Sequence, residues 1–478
     1  MAEIHDEARG GVRHAAFHQG FVWAALLSAL VVGFPIGTHL TSILGFGFPV
    51  GKGFVSFVQT HGHVQLVGWA GFMVMGISLH FVPRLAGVPI LAAHWPTRIL
   101  WLIGGGLALR SIAHPVLPYL TGMRVFPLTV WLLAISGLLE WGGTLAYVGL
   151  LLRTMRRAQD ASQRPALLAV RPYFALMVSG WVLYTSLNLV LLVHMAWRQT
   201  IVVHPAWNRF AIESFLGLVL LPVAFAFSVR MLPLYLRLPV PRWPVRGTAY
   251  AYAIALAMQV LPHVPPLFQL APQYLVAFSH LGGLLKGSVI LWFVWQLDVL
   301  TRAQEAWTVQ RRLHPGPERR PTRPGLPDYG EFGRFEWLVY AAYVWLVLAA
   351  VGEVGHGVSA FIERPVLMES SALRHMYFLG FISLLIFGMA VRMLPGFLHK
   401  RRVARPALVT ATFWLGNAAM CSRVLVFVLP TVVLQSVPGT AVLARAALAV
   451  SGLLGWAAVC CLAMNLWQTA QHAGRKGH

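Results

Sequence analysis

Two histidines one residue apart, His61 and His63, stand just before a long apolar run in the stretch THGHVQLVGW. A third histidine, His375, opens a similar run, HMYFLGFISLL. Neutral imidazole is a ligand for haem iron, copper and zinc. Residues i and i+2 of a helix project about 200° apart, so His61 and His63 cannot bind one ion together but can face two different neighbours. This pattern predicts a haem or metal site between helices.

The surroundings of His63 and His375 belong to a repeat. His63, Glu213 and His375 each stand twenty residues before a proline, and the last two stretches share the string VRMLP. The strings ISGLLEWGG, FSHLGGLLKG and VSGLLGWAA align at a later point of each repeat. Such repetition indicates a threefold architecture. The predicted units, of four helices each, cover residues 20–158, 172–303 and 335–470.

Units one and three are neighbours if the three units close into a ring. A haem between them would take one axial histidine from each unit, which predicts His63 (or His61) and His375 as its ligands. The chain has no C-x-x-C-H motif for covalent attachment, so we expect any haem to be non-covalent and of b type.

Further ionisable groups lie in or beside apolar segments, where such groups are usually functional. Glu213 stands where the repeat would place a histidine; it could bind a metal, transfer protons or bond a loop. Copper could be bound at the rim by His194, His204 and His356, although no spacing among them is diagnostic. Candidates for proton transfer are Lys286, Glu140 and His280, and a structural carboxylate partner is the alternative for the lysine.

Transmembrane helices must position these residues. The chain is 58% hydrophobic and 11% charged, and apolar runs of 18 or more residues recur along its length, which predicts an all-α polytopic membrane protein. The sequence predicts twelve spans, at 20–43, 61–82, 97–115, 129–152, 172–195, 207–230, 247–262, 274–299, 335–356, 374–394, 407–429 and 445–468.

The net charge of +22 follows the predicted topology. Arginines concentrate in the loops on one side, as in the segment 304–334, which is rich in proline and arginine and is predicted to be a linker. The positive-inside rule makes that side cytoplasmic, together with the tails 1–19 and 471–478. This distribution explains the charge better than nucleic-acid binding does.

The stretches HGHVQLVGWAGFMVMGISLHFVPRL and RHMYFLGFISLLIFGMAVRMLPGF resemble the NnrS family, twelve-helix bacterial inner-membrane proteins with haem and copper that take part in the response to nitric oxide. More distantly, the architecture resembles the catalytic subunit of haem-copper oxidases and nitric oxide reductases. In those oxidases the second and tenth helices supply the low-spin haem ligands, and the matching positions are His63 (or His61) and His375. Their copper ligands lie on helices six and seven, where this chain has only Glu213 and His263.

Three functions follow from these observations. The resemblance favours a bacterial inner-membrane haem protein of NnrS type, with possible copper, that binds nitric oxide or transfers electrons. The alternative is a divergent nitric oxide or oxygen reductase subunit that receives electrons from quinol or a cytochrome. The second alternative is a proton-coupled transporter without a cofactor.

Overall fold

The computed structural model describes residues 17–157, 165–269, 271–303, 330–362, 369–428, 437 and 439–471. Within these ranges the chain is mainly helical and contains no strand. Twelve helices of 16 residues or more occur there: α1 (Gln19–Phe46), α2 (Phe54–Ala86), α3 (Trp95–Tyr119), α4 (Phe126–Arg156), α5 (Pro165–Arg198), α6 (Pro205–Leu236), α7 (Val245–Val260), α8 (Pro272–Leu297), α9 (Phe335–Phe361), α10 (Ser370–Phe397), α11 (Pro406–Val428) and α12 (Thr440–Gln471).

Ten of these helices are long and apolar enough to cross a membrane, and α7 and α11 are the two outside that group. The predicted all-α membrane fold is therefore confirmed, whereas the described residues support ten spans where the sequence predicts twelve. The predicted linker lies outside the described residues up to position 329, as do residues 1–16 and 472–478 of the predicted tails. We call the end of the bundle at which the even-numbered helices begin the upper end.

Helix α2 begins at Phe54, seven residues before its predicted start. His61 and His63 therefore lie about two turns inside the helix rather than at its mouth. The preceding residues lower the hydropathy of this segment because several are polar, yet they are buried against protein. Gln59, for example, donates to the Val203 carbonyl at 2.7 Å and accepts from the Val203 amide at 2.9 Å. A hydropathy pattern alone cannot detect a polar turn that is satisfied by a neighbouring loop.

The three helices that carry the repeated motif form the centre of the bundle. In α2, α6 and α10, 72 to 83% of the most apolar window is buried inside the protein, against 33 to 50% in the other candidate spans. Trp69 on α2 donates to Ser383 on α10 at 3.0 Å. The remaining helices form an outer layer that faces lipid on one side.

Each central helix contains a π-helical segment close behind its motif residue. The segments are Val64–Gly71, Leu216–Leu220 and Met376–Ser383. Their recurrence at one place in three helices agrees with the threefold repeat. Short π segments within α-helices often mark functional sites, because they change the direction in which the following side chains project.

The outer layer closes between α12 and α1. A Cβ added at Gly45 would lie 2.5 Å from the Cβ of Ala449, so the two helices pack through small residues. Trp456 donates to the Leu30 carbonyl at 3.0 Å further along the same contact. This packing places α1 beside α12, which makes the first and last parts of the chain neighbours, as a closed ring requires.

Candidate functional site

A cavity of about 550 Å³, which we call cavity 1, opens at the upper end of the bundle. It is lined by α1, α2, α6, α10, α11 and α12. His61 from α2 and His375 from α10 both belong to this lining. The structure therefore brings together one histidine of the HGH pair and the histidine of the third repeat.

The two cavity histidines are held in the same way. The Nδ1 atom of His61 lies 2.8 Å from the Gly33 carbonyl oxygen, and the Nδ1 atom of His375 lies 2.7 Å from the Ser371 carbonyl oxygen. A carbonyl can only accept, so Nδ1 carries the proton in both rings and Nε2 keeps its lone pair. Metal-binding histidines characteristically donate their other ring N–H to such an acceptor. Both residues therefore have the tautomer and support of a ligand.

The backbone of α1 packs directly against the His61 ring. A Cβ at Gly37 would lie 2.7 Å from His61 Cε1, closer than atoms in real structures approach. Only glycine leaves room for the imidazole at this point. The His61 ring is therefore held on one side by its hydrogen bond to the Gly33 carbonyl and on another by close contact with the backbone at Gly37.

Cavity 1 also contains a partly buried cation, Arg423, two of whose nitrogen atoms have no hydrogen-bond partner among the described residues. The Nε and Nη1 atoms of Arg423 on α11 are buried, and no hydrogen bond to either occurs among the described residues. Glu369 acts on this charge only through space. A buried guanidinium without acceptors is costly, so the lining of cavity 1 is suited to an anionic group. Arg374 and Arg209 line the same cavity.

His63 faces away from cavity 1. Its Nε2 atom lies 2.8 Å from Glu140 Oε2, and its Nδ1 atom lies 2.9 Å from the Tyr184 hydroxyl. Both ring nitrogens are therefore bound by side chains of α4 and α5. The predicted pair of His63 and His375 is not brought together, and His61 takes the place beside His375. The reason is the 200° between residues i and i+2, which points the two histidines of α2 to opposite sides.

The His63 cluster contains further buried polar residues, of which Arg110 and Asn188 were not predicted from the sequence. Arg110 on α3 donates to Asn188 on α5 at 2.5 Å, and His114 is fully buried nearby. The sequence does contain a signal for Arg110, because this residue is a cation inside an apolar span. Its partners on α5 could not be inferred from sequence, since an asparagine in a span has no characteristic spacing.

A second, smaller cavity of about 140 Å³, cavity 2, is lined by α6, α7, α8, α9 and α10. Its floor is an ion pair: Lys286 Nζ lies 2.7 Å from Glu353 Oε1, with both side chains more than 90% buried. Glu353 also accepts from the Tyr377 hydroxyl at 2.7 Å and from the Gln259 amide at 3.1 Å. The carboxylate partner considered as the alternative for Lys286 is therefore present.

The upper part of cavity 2 holds the other ionisable candidates. The His280 and His356 rings lie 5.4 Å apart between centroids. Glu213 accepts from Arg209 Nε at 2.8 Å and lies 3.6 Å from Arg374 Nη1. Both arginines line cavity 1 as well as cavity 2, so this ion-pair network stands between the two cavities.

The predicted copper ligands are not gathered into a metal site. His194 and His204 are exposed at the ends of α5 and α6, and His204 Nδ1 accepts from the Ala206 amide at the start of α6. His356 instead lies beside His280. In the described ranges of the chain, no group of three or more histidine, cysteine or acidic side chains is placed to hold a metal ion.

The threefold repeat relates cavity 1, cavity 2 and the His63 cluster. At the motif position, His375 lines cavity 1 and Glu213 lines cavity 2, and His63 belongs to the cluster. The residue two positions before each motif residue lies at a different interface: His61 of α2 lines cavity 1, and Leu373 of α10 lines cavity 2. The corresponding residue of α6 is Ala211. Histidines at these two repeat positions therefore occur together in cavity 1 alone among the three interfaces, whereas the histidine pair of cavity 2, His280 and His356, comes from α8 and α9.

A second repeated position controls the space at each interface. The aligned strings place Glu140, Gly283 and Gly455 at equivalent points of α4, α8 and α12. Gly283 lines cavity 2 and Gly455 lines cavity 1, whereas Glu140 bonds His63. A carboxylate thus fills one interface where glycine leaves the other two open.

Comparison with known proteins bears on the fold. The chain is similar to a solved cryo-electron-microscopy structure of a haem-copper terminal oxidase dimer, with a TM-score of 0.57 over 95% of this chain and 83% of that chain. The two proteins share a fold. Their sequences are 13% identical, so the chemistry of this chain has to be argued from its own side chains. No family model and no curated protein matches the sequence, and the narrower resemblance to the NnrS family gains no support from these comparisons.

Proposed function

We propose that this chain is an integral-membrane haem protein in which His61 and His375 bind the iron of one non-covalent b-type haem. The observation that carries the proposal is the matched pair of imidazoles in cavity 1, each with its Nδ1 proton held by a backbone carbonyl. That hydrogen bond leaves Nε2 available to an iron ion. The fold also supports the proposal, because the solved structure that this chain resembles is described as a haem-copper oxidase.

The rest of the cavity 1 lining fits the same group. A haem is a large, flat, mostly apolar molecule with two carboxylates, and cavity 1 combines apolar walls from six helices with cations near its mouth. Arg423, two of whose nitrogen atoms lack acceptors among the described residues, would supply a positive charge and an N–H donor to a haem carboxylate. Arg110, on the corresponding outer helix of the first unit, likewise has a buried Nε atom without a hydrogen-bond partner among the described residues, although its Nη1 atom donates to Asn188.

The residues of the chain favour electron transfer over substrate reduction at this haem. A haem with two histidine ligands supplies one-electron redox chemistry with no open coordination position. Cavity 2, the neighbouring interface, has Glu213 and Leu373 at the positions that His375 and His61 occupy in cavity 1. It therefore lacks a histidine pair at these repeat positions, and its neighbouring rings, His280 and His356, lie on α8 and α9 instead. Electrons would come from quinol or a cytochrome.

The narrower function remains part of the proposal. A role in the nitric oxide response of NnrS type, in a bacterial inner membrane with both termini cytoplasmic, rests on the sequence resemblance. Copper would have to use pairs of ligands such as His280 and His356, since no larger group occurs among the described residues. A nitric oxide or oxygen reductase would need an open iron position.

Absorption spectroscopy of the purified protein tests the proposal. Pyridine haemochrome analysis should give one b-type haem per chain, with a low-spin spectrum in the oxidised and dithionite-reduced states. We expect His61→Ala and His375→Ala each to abolish the low-spin bands. His194→Ala is the matched control, because His194 is exposed and outside cavity 1.

Two other outcomes have distinct meanings. Loss of the low-spin bands in His63→Ala, with His61→Ala unchanged, would return the ligand role to His63. A colourless protein from cells supplied with haem precursor would exclude the haem proposal and favour the transporter without a cofactor.

A further inference from the structure

We propose that cavity 2 exchanges a proton between the upper face of the protein and the buried Lys286–Glu353 pair, and that the charge of this pair influences the redox state of the site at His375. The second half of the proposal rests on the proposed haem at His61 and His375. The first half does not, and the two are tested separately below.

The ion pair lies deep in the bundle, yet a continuous cavity reaches it. Lys286 is about 21 Å below the first residue of α8, at 1.5 Å per residue. The same cavity is lined by His263, which lies in the loop after α7 at the upper end. One cavity therefore connects the loop after α7 with the buried ion pair. No such connection would be needed for a purely structural ion pair.

The upper part of cavity 2 contains polar side chains that are linked by hydrogen bonds. Ser279 donates to the Gln259 carbonyl at 2.8 Å, and its hydroxyl lies 3.1 Å from His263 Nε2. The Oε1 atom of Gln259 is buried and accepts no hydrogen bond from the described residues. Partial burial lowers the pKa of His263, which favours the neutral ring that can both accept and donate. Waters in such a polar space would find several partners each.

A net charge change at the pair requires exchange with the outside. A proton that moves from Lys286 to Glu353 neutralises both groups and leaves the total charge unchanged. Protonation of Glu353 while Lys286 stays charged adds one positive charge, and that proton must come through the cavity. Buried charges in such a medium interact strongly with other charges, so the added charge can be felt at neighbouring sites.

Several titratable and charged groups face the pair and would modulate this exchange. They are Arg209 and Glu213 on α6, Tyr252 and His263 on and after α7, His280 on α8, His356 on α9, and Arg374 and Tyr377 on α10. The donors from α7, α8 and α10 stabilise the ionised carboxylate of Glu353, and a proton that is taken up must compete with them. Protonation is nevertheless assigned to Glu353 because the Lys286 ammonium already carries its proton, so Glu353 is the group of the pair that can accept another. It is the common partner of all the groups at the floor of cavity 2.

Helix α10 connects this pair to cavity 1. His375 lines cavity 1, and Tyr377, two residues further, lines cavity 2 and donates to Glu353. The two residues project to opposite sides of one helix. Protonation of Glu353 would leave the Lys286–Glu353 pair with one net positive charge, which would favour the reduced state of a haem held by His375, and the reduced state would in turn favour that protonation. This reciprocity is a thermodynamic linkage.

Infrared spectroscopy tests the proton exchange without reference to haem. The carboxyl band of a protonated glutamate shifts in heavy water, and we expect a pH-dependent band in the wild-type protein that is missing from Glu353→Gln. The matched control is Glu336→Gln, which removes a buried carboxylate at the other end of the same helix. A wild-type carboxyl spectrum that does not change with pH, or a band that persists in Glu353→Gln, would overturn the proton exchange.

Spectroelectrochemistry tests the coupling. In the haem-loaded wild-type protein we expect the ratio of reduced to oxidised haem, at a fixed potential, to change by at least threefold per pH unit, which corresponds to about 28 mV. A tenfold change, about 59 mV for one electron, is the limit for one proton per electron. The double variant Lys286→Gln/Glu353→Gln removes both charges together, so it avoids a lone buried charge, and we expect its potential to lose this dependence.

The outcomes separate the two proposals. A titrating carboxyl band with a pH-independent midpoint potential would overturn the coupling and leave the haem assignment intact. An unchanged pH dependence in the double variant would assign the coupling to other groups and would also overturn it. A protein that binds no haem but keeps the titrating band would contradict the proposed function, together with the coupling, and would retain the proton cavity.

Discussion

His61 and His63 are two residues apart on α2, yet their rings take part in different sites. His61 is bound through Nδ1 to the Gly33 carbonyl and lines cavity 1, whereas His63 is bound at both nitrogens by Tyr184 and Glu140. The second arrangement fixes the rotation of α2 about its own axis. It thereby keeps His61 directed to the cavity that also contains His375.

The contact between Gly37 and His61 predicts a loss of haem without any change to a ligand. Gly37→Ala places a methyl group 2.7 Å from His61 Cε1, so the ring must move away from its Gly33 acceptor. We expect haem affinity to fall about tenfold or more, as is usual when the support of a metal-binding histidine is lost. Haem transfer to an apoglobin acceptor measures this. Gly105→Ala, where an added methyl meets nothing within 4 Å, should retain wild-type affinity.

The free nitrogen atoms of Arg423 predict that this residue contributes to haem retention. Removal of a charged hydrogen-bonding group costs about 2 kcal/mol, or about thirtyfold in affinity. We expect Arg423→Gln to release haem faster by roughly that factor, and Arg423→Lys to lie between the two because it keeps the charge but not the planar fork. Arg445→Gln, an exposed arginine on α12, is the control. Equal release rates in all variants would remove Arg423 from the haem site.

The His63–Glu140 pair predicts a large effect on stability and a small one on the spectrum. Glu140→Ala leaves a buried histidine and Arg110 without their carboxylate, and loss of one partner of a buried pair costs about 3–5 kcal/mol. The midpoint of thermal unfolding in a fixed detergent should fall markedly, while the low-spin bands persist in the folded fraction. The Glu213→Ala variant breaks a pair that is partly exposed on the arginine side and should cost less, about 1 kcal/mol.

The Lys286–Glu353 pair predicts non-additive stability effects. Lys286→Met leaves a buried carboxylate unpaired and should destabilise the protein by about 3 kcal/mol or more. The double variant Lys286→Met/Glu353→Gln removes both charges, so we expect it to be more stable than the single lysine variant. A double-mutant cycle on unfolding midpoints measures this coupling. Additive effects would mean that the two groups do not interact in the folded protein.

Much of the helical architecture was predictable, and His61 and His375, which the sequence marks as ligand candidates, both line cavity 1. The apolar runs identify the membrane helices because lipid requires them, and the spacing to Pro83, Pro233 and Pro395 identifies the repeat. The choice between His61 and His63 depends on the rotation of α2, which its neighbours set and which no local pattern encodes. The start of α2 at Phe54 was missed because its polar residues are satisfied by another loop.

The partners of the buried ions were beyond prediction for a similar reason. Lys286 and Glu353 are 67 positions apart, and the sequence contains no signal that pairs a lysine of one helix with a glutamate of the next. The π segments after His63 and His375 add a further obstacle. They change the angular phase of each central helix part-way along its length, so a regular 3.6-residue period assigns the faces incorrectly beyond that point.

The equivalence of Glu140, Gly283 and Gly455 has a consequence for the ring as a whole. A backbone repeated three times would allow any interface to replace another after a rotation of 120°. A carboxylate at one interface and glycine at the others remove that freedom, because a side chain now distinguishes each interface from its rotated copies. The three interfaces therefore follow one another in a fixed order around the molecule. They are the interface closed by Glu140, cavity 2 with its acidic and basic side chains, and cavity 1 with its two histidines.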